Sequence, residues 1–193
     1  MDFLNAIILI SNFIIVPAIT YGSQLALGAI GVTLIYGVLR FANFAYGDLM
    51  AFGTMIVILF TWYLQSKGIS FGSLPTALLA LPIGILFTII ISLFFDKTVF
   101  EYYRKKKSNP VTFIVVSLGI MFVLNAVVRI IIGPNDINFM DGHKFIMKAR
   151  EFKQLTGLNE GLAIKSTQVI TLITTIITCS LLFYFLNKTK TGK

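Results

Sequence analysis

Apolar positions in this chain come in long unbroken blocks, not at alternate positions and not along one stripe. The first block, residues 6–39, runs 34 residues without a charge, and further uncharged blocks cover 49–64, 74–95 and 167–186. Residues 111–132 form another, interrupted only by Arg129 near its end. Each of the later blocks is about as long as a helix needs to be to cross a bilayer core. Strands of a membrane barrel would instead alternate lipid-facing and lumen-facing residues. The pattern therefore predicts an all-α integral membrane protein. The first block needs dividing, because 34 helical residues would extend about 51 Å against a hydrocarbon core of about 30 Å. Pro17 is the natural break. The expectation is a short N-terminal interfacial or partly inserted helix over 2–16, followed by five spans at 17–39, 43–64, 74–95, 111–132 and 167–186.

Composition narrows the class. Of 193 residues 56% are hydrophobic and 12% charged, against roughly 25% charged in soluble domains, which excludes a water-soluble globule. The net charge of +8 does not point to nucleic acid, since the basic residues sit between apolar blocks as topology signals do. Cys179 lies inside an apolar block, so neither a disulfide framework nor a thiol metal cluster is expected. Asp2 leads straight into apolar sequence, unlike the basic start of a secretory signal.

Lys and Arg counts near the span ends set the orientation. Arg40, Lys97, Arg104 to Lys107, Lys188, Lys190 and Lys193 fall on one side, in short segments, which is expected to be cytoplasmic. Lys67 and the longer polar loop 133–166 fall on the other, where Asp136, Asp141, Glu151 and Glu160 dilute the loop's cations. Lys105 to Lys107 suit anionic lipid headgroups or serve as topology determinants alone.

Two features of the first spans invite a functional reading. Ala18, Gly22, Ala26, Ala29, Thr33 and Gly37 recur every three or four positions, a thin face on which helices approach closely. It fits helix packing within or between subunits, or a lining for a solute path. Next, Arg40, Asn43, Tyr46, Gly47 and Asp48 interrupt the apolar pattern within nine residues. An acid deep in a span costs about 2.5 to 3.5 kcal/mol on insertion scales, so Asp48 is expected to face protein or water. Asn43 suits the N-cap of the second span, with Asp48 just past the first turn. Broken helices of this kind place charge beside a solute in transporters. The alternative is a structural latch in which Arg40 anchors at the interface and pairs with Asp48.

The stretch GVTLIYGVLRFANFAYGDLMAFG, Gly31 to Gly53, resembles the signature of permease subunits of branched-chain amino acid ABC transporters. That family commonly carries His where this chain has Tyr46, so the position keeps an aromatic hydrogen-bonding group but loses titration near neutral pH. Phe100 to Arg104 resembles the family's segment between spans, with Lys105 where Pro is usual. Residues 115–119 with Asn125 resemble the span that follows, and 187–193 resemble the start of the segment beyond the fifth span. The resemblance covers nearly the whole chain. It implies a single transmembrane permease domain over 1–193 whose family pattern continues past Lys193 into a coupling segment and further spans, so that the chain is expected to be the first part of a permease.

The resemblance further implies an importer in the bacterial cytoplasmic membrane. A periplasmic or extracellular binding protein delivers the amino acid, this chain and a second permease subunit form the path, and two ABC ATPases drive it. Loop 133–166 is then a docking surface for the binding protein, or simply a solvated connector. The chain has no phosphate-binding loop of its own: Gly161 to Ser166 lacks the glycine spacing and follows no strand. No cofactor or metal is implied. Related permeases also serve urea and short amides. The competing readings are an integral membrane enzyme of lipid metabolism and a passive channel. Asp141-Gly142 and Ala149-Arg150 lack the spacing of phospholipid-forming transferases. His143 has no carboxylate at metal or acyltransferase spacing, and no carbonyl filter motif or charged ring marks a channel.

Overall fold

The computed structural model describes residues 2–72, 74–135, 139, 141, 145–157 and 160–188. Five helices are long and apolar enough to cross a membrane: Phe3–Leu39, Tyr46–Ser66, Ala77–Lys105, Pro110–Ile132 and Ser166–Lys188. These are the five expected spans. Asp136, Gly142, His143, Lys144, Lys190 and Lys193 lie outside the described residues, as does most of the closing segment that resembles the family.

The first helix corrects one expectation. The short N-terminal helix exists as α1, Asp2–Ile10, but it is not separate: a π-turn at Ser11–Ile15 joins it to α2, Val16–Leu39. Pro17 does not break the helix. A proline ring clashes with the carbonyl four residues before it and leaves that carbonyl without a donor. Here the ladder widens just ahead of the ring, with the Val16 N–H reaching the Ser11 carbonyl. π-bulges are a recognised way for a helix to absorb such a fault. The resulting 37-residue helix is about 55 Å long, more than a bilayer core requires.

By internal contacts the chain forms two compact units, residues 1–30 with 142–193, and 31–141. In the first, α1 and α8 (Ser166–Lys188) accompany a polar segment in which strands β1 (Phe145–Met147) and β2 (Ile164–Lys165) pair antiparallel around the short helix α7 (Ala149–Thr156). α7 ends on Gly157 in the left-handed conformation (φ 69°), whose N–H returns to the Lys153 carbonyl at 2.9 Å. This is the usual helix stop. Asn12, inside the π-turn, holds the segment: its Nδ2 donates to the Gly161 carbonyl at 2.6 Å, and its Oδ1 accepts from the Ala163 N–H at 2.9 Å. One turn pair earlier, Asn5 Oδ1 accepts from Glu160 N–H at 3.4 Å. Gly161 is required there, because a Cβ would run into the Ala149 carbonyl.

The second unit holds α3 (Tyr46–Ser66), α4 (Ala77–Phe95), α6 (Pro110–Ile132) and the last turns of α2. α4 continues through a π-turn, Asp96–Phe100, into α5, Glu101–Lys105. α3 and α4 cross closely: a Cβ at Gly53 would strike the Thr88 hydroxyl, and one at Gly84 would strike Val57 and lie 3.2 Å from the Gly53 carbonyl. The small-residue contact that membranes favour is thus made here. Phe41, Ala45, Phe100, Ile120 and Leu124 form the buried core. At the opposite end, Asp141 Oδ2 accepts from the Ala77 N–H at 2.7 Å while its Oδ1 accepts from Gln65 Nε2 at 2.8 Å. It caps α4 from 64 residues away, satisfying one of the orphan donors of a helix start.

Candidate functional site

The polar interruption between α2 and α3 is anchored at several points within the second unit. Arg40 ends α2 in the left-handed conformation (φ 59°) with its N–H on the Tyr36 carbonyl at 2.9 Å. That geometry is uncommon outside glycine and asparagine. Phe41 then turns inward, stacked on Phe113 with ring centroids 5.1 Å apart and tilted against Phe100 at 5.7 Å. Phe44 N–H donates to the Ser117 hydroxyl at 3.2 Å, and that hydroxyl donates to the Ile114 carbonyl at 2.8 Å. Ser117, fully buried, is thereby satisfied on both sides.

Asn43 is not the N-cap of α3. That position is Ala45, and the Asn43 side chain instead accepts from the Ala45 N–H at 3.1 Å, closing a local turn just ahead of the helix. An Asx turn of this kind competes with capping for the same side chain. The later start puts Asp48 within the first turn of α3, where the helix dipole favours a negative charge.

Asp48 is half-buried, and its Oδ1 accepts from Asn125 Nδ2 on α6 at 3.0 Å. The latch with Arg40 does not form. Among the described residues the ion pairs are Asp96 with Arg104 and Glu101 with Lys105, both at the start of the segment after α4. Asn125 carries no local sequence signal as the partner of Asp48 beyond its place in a span that resembles the family.

The other members of the interruption diverge. Tyr46 lays its ring across Gly31, where a Cβ would collide with the phenol oxygen. Gly47 is exposed, with open space where its Cβ would stand. Asn43 lines a largely apolar cavity of about 380 Å³ with Leu34, Leu49, Leu93 and Asp96. Arg40 lines a second of about 210 Å³ with Arg104 and Ser108. On the small-residue face of α2, Gly22, Ala26, Thr33 and Gly37 are all exposed, and nothing lies within 4 Å of a Cβ at Gly22 or Gly37.

The geometry is that of apolar spans with a carboxylate–amide pair between α3 and α6 and a pinned break, and no group of three or more His, Cys, Asp or Glu able to hold a metal is found among the described residues. A family model described as the permease component of a branched-chain amino acid transport system matches residues 14–193. The chain belongs to that family. No curated protein and no solved structure matches significantly. The permease is a multi-pass membrane protein and a component of a transport system with other subunits. That family places it among transporters.

Proposed function

We propose that the permease is a transmembrane subunit of an ABC importer for branched-chain amino acids in a bacterial cytoplasmic membrane. It shares the path with a second permease subunit, receives its solute from an external binding protein and is driven by two separate ATPases. The family match supports this reading, and the single structural observation that carries the site is the Asp48–Asn125 pair. Asn125 occupies one carboxylate oxygen; among the described residues no protein donor is recorded on Asp48 Oδ2. A carboxyl held at a helix start by an amide, without a neighbouring cation, offers an acceptor oxygen that an amino acid's α-ammonium can meet. Asn43 and the Tyr46–Gly31 contact keep the break that presents it, and Gly47 leaves its approach open. Arg40 stands apart, at the end of α2.

The exposed face of Gly22, Ala26, Thr33 and Gly37 suits contact with another transmembrane subunit, since close approach of backbones is what small residues contribute in lipid. The test is reconstitution of the assembled transporter in vesicles. Leucine accumulation that requires ATP, the ATPases and the binding protein is expected; accumulation without ATP would show a passive pathway and overturn the reading.

A further inference from the structure

The two cavities of the second unit share Val38 and Leu39, so they meet at the last turn of α2. The larger is mostly hydrocarbon, walled by Leu34, Ile35, Val38 and Leu93. The smaller is different in chemistry: Arg40, Arg104 and Ser108 line it beside Phe41 and Phe113. Arg104 is committed to Asp96 through two parallel bonds of 2.8 Å, so that pair is close to neutral. Arg40 is exposed and has no ion-pair partner among the described residues. The C-terminus of α2 and the N-terminus of α6 both end here, and their dipoles oppose each other. The sign of the small cavity is therefore set by the Arg40 guanidinium, which is positive.

We propose that the joined cavities hold one anionic phospholipid, its phosphate between Arg40, Ser108 and the free edge of Arg104, and an acyl chain along Leu34, Val38 and Leu93. Each part matches its neighbour: guanidinium recognises phosphate through paired N–H donors, and the apolar limb takes a chain that would otherwise lie in bulk lipid. The Lys- and Arg-rich end of the spans, where this site lies, is the end expected at the anionic leaflet. A lipid bound there would fill the gap between the end of α2 and the start of α6 without any protein segment.

The experiment reconstitutes the full chain with spin-labelled phosphatidylglycerol or phosphatidylcholine and measures the immobilised fraction of each. A preference of about fivefold for phosphatidylglycerol is expected. Arg40→Gln should bring it close to onefold, whereas Lys97→Gln, an equal loss of charge outside the cavity, should leave it intact. Val38→Trp, which fills the junction, should lower the immobilised phosphatidylglycerol with Arg40 in place. Equal losses in Arg40→Gln and Lys97→Gln would mean general surface attraction and overturn the proposal. So would an unchanged preference in Val38→Trp, competition by millimolar free phosphate, or disappearance of the preference in the assembled transporter, which would assign the cavity to a protein occupant.

Discussion

Asn125 on α6 gives its side-chain amide to Asp48 in the first turn of α3, 3.0 Å away and 77 residues apart in sequence. A charge-assisted bond of this type is worth about 1.5 to 3 kcal/mol in proteins, and polar pairs between membrane helices average nearer 0.6. The pair also decides where the carboxylate points.

Asp48→Ala is expected to lower leucine uptake by the assembled transporter more than it lowers the membrane abundance of the permease. Asp48→Asn keeps the size and a hydrogen-bonding oxygen, so it should preserve abundance while losing uptake. Uptake normalised to immunoblot signal checks both; parallel losses in both variants would mean the pair is only structural.

Asn125→Leu should cost about 1 kcal/mol or somewhat more in stability, because it strands a half-buried carboxylate. With Asp48→Asn in the same chain the penalty should shrink, since the group left unpaired is then neutral. Thermal aggregation in detergent of the two single variants and the double variant provides the cycle.

At the crossing of α3 and α4, Gly53→Ala pushes a methyl into the Thr88 hydroxyl. Overpacking of this kind costs typically 1 to 3 kcal/mol. Thr88→Ala in addition should recover most of the loss, by removing the atom in the way. A double variant no better than Gly53→Ala would mean that the backbone, and not the side chain, sets the limit.

Asn12→Leu removes both bonds to the 161–163 segment and should speed amide exchange and proteolysis there while α8 stays protected. Asp141→Ala, which uncaps α4, should cost about 1 kcal/mol and expose the first turn of α4 to exchange. Mass-spectrometric exchange on the two variants separates the effects by segment.

The spans were readable because an uncharged apolar block of bilayer length has few other stable forms in an all-α chain. Their ends were less so, and the reason differs at each. Pro17 signals a break by itself, but whether a helix absorbs it depends on the ladder geometry around Ser11 to Ile15, which no local pattern encodes. Asn43 carries a capping side chain, and whether it caps or folds back on Ala45 is decided by the Phe41 and Ser117 contacts that fix the turn. Asp48 announced a need for a polar neighbour, yet Arg40 was the nearer candidate in sequence. Asn125, Asn12 with Gly161, and Asp141 with Ala77 are pairings across 64 to 149 residues, and spacing alone contains no trace of them.

The π-turn at Ser11–Ile15 carries a further consequence. An α-helix advances about 100° per residue, so one residue added to a turn rotates everything before it relative to everything after. Deleting a single residue between Ser11 and Ile15 would remove the extra residue that accommodates Pro17 and at the same time swing Asn5 roughly a quarter-turn from the Glu160 N–H it now meets. The helical phase of the first span is thus adjustable by one residue, and the loop that follows α7 is what records the setting.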